Sequence, residues 1–296
     1  MQSSMVDFAK MEGIGNKILV IDMRGCHDNI TSDAINALST DDNTHFDQIM
    51  LIHDFQDASV DAFIRIINCD GSEVQSCGNG MRCVVRFLTS RMKRKSFTFE
   101  TIRGILVAKE NRDGSISVDM GEPILDWKLI PLARSFDKMD RDRFHIGPVN
   151  HLFLRNPFVV SMGNPHAIFF VEDDLYYYDL ASFGNLLAKH PMFSEGVNLS
   201  IARVTSLESL DLRTWERGVG LTAACGSAAC ASVVASGCLH KTNRAVSVKM
   251  LGGGLLIEWH DNNHVFMTGE AKKEWEGKLD IKTGKWIKKN EDDEAY

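Results

Sequence analysis

Cys77-Gly78-Asn79-Gly80-Met81-Arg82-Cys83 and Cys225-Gly226-Ser227-Ala228-Ala229-Cys230 decide how the chain is read. Each is a Cys-Gly pair followed by a helical pattern. Met81, Val84, Val85 and Leu88 recur at helix spacing after the first. The second runs on through Ala231 to Ala235, an alanine-rich stretch that favours helix, with Gly237 as its expected stop. The two pairs lie 148 residues apart, half the chain. Other features keep that offset and order. Gly15-Asn16 recurs as Gly163-Asn164, Gly104 falls on Gly252, Gly121-Glu122 falls on Gly269-Glu270, and Asn68 falls on Glu216. Such self-similarity predicts a duplicated fold.

Strand patterns surround each helix in the same order. Ile18-Leu19-Val20-Ile21 and Phe63–Ile67 precede the first, the latter ending in a turn at Asn68–Gly71. Phe158–Met162 and Ile168–Val171 flank the second Gly-Asn. Phe97–Thr101, Ile105–Lys109 and Ser115–Met120 follow the first helix, and Ala245–Lys249, Leu255–Trp259 and Val265–Thr268 follow the second. The expectation is an α+β chain of two pseudo-symmetric halves, each a barrel-like, mostly antiparallel sheet around a central helix. The halves are expected at 1–122 and 123–270, with 271–296 returning to the first half. The charged tail 288–296 is expected to be disordered.

Composition narrows the function. Of 296 residues, 44% are apolar and 25% charged, ordinary for a soluble globular protein. Forty acidic against 33 basic residues leave a net charge of −7, which argues against nucleic acid as a partner. The chain has neither a bilayer-spanning apolar run nor an apolar signal core at its start, so a cytoplasmic protein with no membrane association is expected. Seven cysteines is an odd and sparse number for a disulfide scaffold, so reduced thiols are expected. Cys26, Cys69, Cys83, Cys230 and Cys238 read as small packing residues.

Cys77 and Cys225 read differently because of where they sit. The first amides of a helix have no intrahelical partner and favour negative charge. A thiol there is expected to have a lowered pKa, and the neighbouring amides can hold a carboxylate. Two such motifs around one carbon suit stereoinversion, one thiol removing a proton and the other returning one to the opposite face.

These residues resemble the diaminopimelate epimerases. Lys10-Met11-Glu12-Gly13-Ile14-Gly15-Asn16 is similar to that family's opening motif. Asn68 to Val74 with Cys77 to Cys83 resembles its first catalytic motif, Ser161-Met162-Gly163-Asn164-Pro165-His166 its mid-chain signature, and Glu216-Arg217-Gly218 with Ala224 to Cys230 its second catalytic motif. The resemblance implies epimerisation of LL-diaminopimelate to the meso form in lysine and peptidoglycan precursor synthesis. It implies no pyridoxal phosphate, no metal and no other cofactor, with a homodimer as the working unit. It makes Cys77 and Cys225 the acid/base pair, with His166 and Glu216 tuning their protonation. Gly78, Asn79, Gly226 and Ser227 would hold the reacting carboxylate. Asn16, Gln48, Asn68, Asn164, Asn198, Glu216 and Arg217 would meet the other polar groups of the substrate. The chain departs from the family pattern at Lys17, Gly196 and Leu221, where an acid, an arginine and a glutamate are common.

Rival readings are weaker on the residues themselves. His166 alone reads as a structural histidine, and Glu216 with Arg217 as a surface ion pair. Leu210, Leu212, Thr214 and Glu216 alternate along one strand face, however, which turns Glu216 partly inward. Gly252-Gly253-Gly254 and the stretch from His260 to His264 read as turns rather than as phosphate or metal sites. The spacing of Cys77, Cys83, Cys225 and Cys230 fits a zinc knuckle poorly. Another cofactor-independent amino-acid racemase on the same fold remains the nearest alternative.

Overall fold

The computed structural model describes residues 5–55, 57, 59–74 and 77–290. The last residues of the charged tail, 291–296, lie outside the described residues. The chain forms two compact units, one of Met1–Val118 with Gly269–Tyr296 and one of Asp119–Thr268.

In chain order the first unit holds β1 (Met5–Gly13), β2 (Asn16–Asp22), α1 (Ser32–Thr40), β3 (Gln48–His53), β4 (Ala62–Asn68), β5 (Glu73–Val74), α2 (Gly78–Thr89), β6 (Ser96–Thr101), β7 (Gly104–Glu110) and β8 (Ile116–Asp119). The second begins with α3 (Lys138–Arg143) and the hairpin of β9 (His145–Val149) and β10 (Leu152–Arg155). It continues through β11 (Phe158–Ser161), β12 (Pro165–Phe170), α4 (Leu180–Ala188), β13 (Asn198–Ser206), β14 (Ser209–Glu216), β15 (Gly220–Thr222), α5 (Gly226–Cys238), β16 (Ala245–Met250), β17 (Gly253–Trp259) and β18 (Val265–Gly269). Then β19 (Lys272–Asp280) and β20 (Trp286–Lys288) rejoin the first unit, where β19 lies antiparallel to β1 over Met5–Glu12.

Both units have one topology. Neighbouring strands run antiparallel except at two places, β2 with β3 and β4 with β6 in the first unit, β12 with β13 and β14 with β16 in the second. A parallel pair needs a crossover, commonly a helix. Accordingly α1 and α4 bridge the first parallel step and α2 and α5 the second. Each outer helix packs on one face of its sheet, α1 on a cluster with Phe8, Leu19, Phe46 and Leu51, α4 on one with Phe169, Phe193, Leu199 and Ile201. The other two helices are central, buried on nearly every side. In α5 the surrounding sheet is met by Ala228, Ala229, Ala231 and Ala235, side chains small enough for close approach.

The duplication holds element by element, and the structure corrects its register in two places. Ile18 lies opposite Gln48, while its repeat equivalent His166 lies opposite Asn198, so Asn198 occupies the rung of Gln48 rather than one residue pair beyond it. Gly104 opens β7 opposite Thr101, as Gly253 opens β17 opposite Met250. Gly104 therefore corresponds to Gly253 and not to Gly252. Both take positive φ, 124° and 144°, the backbone shape that this hairpin entry requires. The expected helix stop at Gly237 also moves. The helix runs through Gly237 to Cys238, and His240 at φ 54° makes the left-handed exit, with Lys241 N donating to Ser236 O.

Candidate active site

Both cysteines stand one residue ahead of a central helix in extended backbone, Cys77 at φ −148° and Cys225 at φ −135°. In the first unit the Cys77 sulfur caps α2, accepting from Gly80 N at 3.2 Å. Two glycines allow the helix start to sit this deep. A Cβ on Gly13 would come within 2.9 Å of Asn79 O, and one on Gly80 within 2.3 Å of Met50 Sδ. The start of α2 is thus pressed against β1 and β3.

Around this start the expected polar residues of the first unit form two pairs. Asn79, buried, donates through Nδ2 to Asn16 Oδ1 at 2.5 Å. Gln48 Nε2 donates to Asn68 Oδ1 at 3.0 Å, and Asn68 Nδ2 donates to Ser72 Oγ at 3.0 Å. The amides are held by one another, which fixes their rotamers and leaves the remaining lone pairs and protons defined. Lys17 is exposed, and its N–H donates to Asp47 Oδ2 at 2.8 Å.

In the second unit Cys225 is buried, and its sulfur meets Ser227 Oγ at 3.5 Å. Ser227 is also in contact with His166 Nε2, at 3.1 Å, and receives Asn164 Nδ2, at 3.3 Å. His166 is fully buried, and its Nε2 also meets Asn164 Oδ1 at 3.0 Å. Asn198 Oδ1 accepts from the Arg217 N–H at 2.9 Å. The Arg217 side chain is exposed, donates to Glu195 O, and lies over Gly196, where a Cβ would come within 2.7 Å of its Cδ. Gly196 takes a positive φ of 75°, a backbone shape that favours glycine, and lies against the Arg217 stem. Glu216 ends β14, half-buried beside Cys225.

The thiol electrostatics overturn one expectation. A helix start should lower a thiol pKa, yet Cys225 is pushed well above the ordinary thiol range, first by burial and then by the Glu216 carboxylate. Ser227 opposes the shift without cancelling it. Among the presumed packing cysteines, Cys83 and Cys230 are buried, Cys26 and Cys238 are half-buried, and Cys69 is exposed on the turn after β4, which removes it from that group.

Sequence reasoning did not find the cavity beside Cys225. It has a volume of about 170 Å³ and is lined by Thr214, Leu221, Thr222, Cys225, Met250 and Leu251 among others. Thr222 Oγ1 is buried beside it with no hydrogen-bond partner among the described residues. No spacing or motif marks such a space, which depends on side chains from three separate strands and loops. Among the described residues no group of three His, Cys, Asp or Glu is placed to hold a metal ion, and no helix is long and apolar enough to cross a membrane.

The profile of the family described as diaminopimelate epimerase matches residues 8–125 and, separately, 158–274. A diaminopimelate epimerase of Brucella anthropi is 54% identical over 286 residues, covering 97% of this chain and 95% of its own. One from Rhizobium leguminosarum bv. trifolii is 52% identical, with 96% of each chain covered. Among solved structures, a hydroxyproline epimerase from Agrobacterium vitis has the same fold, with a TM-score of 0.65 at 16% identity over 94% of this chain and 92% of its own. A phenazine biosynthesis protein from Bacillus anthracis also shares the fold, with a TM-score of 0.63 at 16% identity over 94% and 99%.

Proposed function

Because this chain belongs to the diaminopimelate epimerase family, an isomerase family, we propose that it interconverts LL- and meso-2,6-diaminopimelate with Cys77 and Cys225 as its two bases. The observation that carries this reading is the repeated placement of a cysteine immediately ahead of a buried central helix, each with its own amide network.

The chemistry follows from the residue types. One thiolate takes the Cα proton, the C–H electrons pass into the adjoining carboxylate, and the other thiol delivers its proton to the opposite face. Nothing is oxidised or reduced, and each turnover exchanges the protonation of the two sulfurs. The developing negative charge is the main barrier, and preorganised dipoles are its remedy. Gly78 with Asn79 and Gly226 with Ser227 offer the unpaired amides of two helix starts for that carboxylate. Cys225, raised by burial and by Glu216, favours the protonated state and suits the donor role when Cys77 is the base. His166 bears on the same sulfur through Ser227. Asn16, Gln48, Asn68, Asn164 and Asn198 would receive the distal amine and carboxylate, with Arg217 as the carboxylate clamp. The same reading carries with it a cytoplasmic homodimer that needs no pyridoxal phosphate, serving lysine and peptidoglycan precursor synthesis.

Reduced protein incubated with LL-diaminopimelate in deuterated water should give meso product carrying deuterium at the inverted carbon. Folded, reduced protein that neither epimerises nor exchanges that proton would refute the proposal.

A further inference from the structure

The hydrogen bonds around Ser227 favour one direction for its own proton. Asn164 Nδ2 donates to Ser227 Oγ at 3.3 Å. Asn164 Oδ1, an oxygen with no proton to give, stands 3.0 Å from His166 Nε2, so that nitrogen carries the hydrogen. The same N–H faces Ser227 Oγ at 3.1 Å, and the hydroxyl oxygen accepts from it as well. A hydroxyl has two lone pairs and one proton. With both lone pairs engaged, the hydroxyl's remaining side-chain partner among the described residues is Cys225 Sγ at 3.5 Å, placed to receive the proton once the sulfur is a thiolate.

We propose that Ser227 is a positioning residue: Asn164 and His166 lock its hydroxyl so that the proton is held on Cys225 Sγ, stabilising the thiolate each time Cys225 gives up its proton. This rests on the reading of Cys225 as one of the two bases. The surroundings show why such a donor is needed. Glu216, from β14, places a carboxylate beside the same sulfur and favours the thiol, as does burial. Arg213, also from β14, lines the cavity beside Cys225, yet its guanidinium donates to the carbonyls of Leu175 and Tyr178. From β12 the facing titratable group is His166, which acts through Ser227. The locked hydroxyl thus balances Glu216, the carboxylate steadying the thiol and Ser227 the thiolate. Cys225 also takes a backbone hydrogen bond from Ala228, as Cys77 does from the equivalent Gly80. In the first unit the repeat equivalent of Ser227 is Asn79, engaged with Asn16, so the hydroxyl donor belongs to the second unit.

The test compares Ser227→Ala with Ser227→Thr in the intact, reduced enzyme. Two quantities are read: the pH midpoint for alkylation of Cys225 by iodoacetamide, followed on its own peptide by mass spectrometry, and kcat with KM for diaminopimelate. In Ser227→Ala the midpoint should move to higher pH, and alkylation at neutral pH and kcat should each fall about tenfold, the scale of one charge-assisted hydrogen bond. KM should stay within about threefold, because the Ser227 backbone amide remains. Ser227→Thr keeps the hydroxyl and should restore both. An unmoved midpoint in Ser227→Ala overturns the proposal, and so does a shift of equal size in Ser227→Thr, which would mean altered packing. The alkylation midpoint does not depend on turnover. A wild-type enzyme without epimerase activity would refute the functional reading and leave the role of Ser227 to be judged on the midpoint.

Discussion

Asn164 donates its side-chain amide to Ser227, and one repeat earlier Asn16 and Asn79 are joined across an equal span of chain with the direction reversed, Asn79 donating to Asn16. The repeats share a link between the residue entering β2 or β12 and the start of the central helix, with asparagine at the helix start in one unit and serine in the other. Each central helix is therefore tied at its first turn to the entry of a β-strand, and the cysteine beside that turn inherits the rigidity.

Removing the Glu216 charge tests how Cys225 is held. Its pKa is raised by burial and by Glu216, so the thiol is the favoured form. Glu216→Gln removes the second cause and leaves the first. The Cys225 alkylation midpoint should then fall while staying above the ordinary thiol range, and the alkaline limb of kcat/KM should move to lower pH. An unchanged midpoint would mean that burial alone sets this thiol.

The pairing of Gln48 with Asn68 orients an amide without touching either sulfur. Gln48→Leu takes the donor from Asn68 Oδ1 and frees that side chain. KM should rise about tenfold with kcat within about threefold, the pattern of a lost binding contact. Steady-state kinetics with diaminopimelate would show it.

Gly13 tests the close approach of β1 to α2. In Gly13→Ala the new methyl meets the Asn79 carbonyl at 2.9 Å, backbone against side chain. The helix start must shift, at a cost of about 1–3 kcal/mol in stability. Turnover should drop at least tenfold even where the protein stays folded, measured by comparing denaturant melts with kcat.

Cys83 predicts an alkaline weakness. Burial raises this thiol from 9.0 to about 12. The unfolded chain gives up the proton first, so the stabilising contribution is complete below pH 9.0 and is lost as pH climbs towards about 12. The slope reaches about 1.4 kcal/mol per pH unit. Cys83→Ala should flatten that part of the stability profile, seen in denaturant melts taken at several alkaline pH values.

Particular residues show what could be read from sequence. The helices after Cys77 and Cys225 were legible because apolar spacing and alanine content are local signals, and the paired strands after each helix were legible from their β-branched runs. The outer helices α1 and α4 were not, since each is a single short amphipathic turn sequence whose partners, such as Phe46 and Phe193, lie elsewhere in the chain. The equivalence of Gln48 with Asn198 was hidden by two extra residues between α4 and β13, which only strand pairing reveals. The state of Cys225 was misjudged because a helix start is visible in sequence and the burial that outweighs it is not. Ser227 was legible as a residue but not as a hydrogen-bond hub, because its partners Asn164 and His166 are 63 and 61 residues away.

The return of β19 to pair with β1 sets an order of birth. On a ribosome the second unit has every strand of its sheet in hand before residue 272 is made. The first unit, begun earlier, waits with the β1 edge unpaired until Lys272–Asp280 emerges. The half synthesised first is thus the half completed last, and a stalled or shortened message would release a finished second unit attached to an open first one.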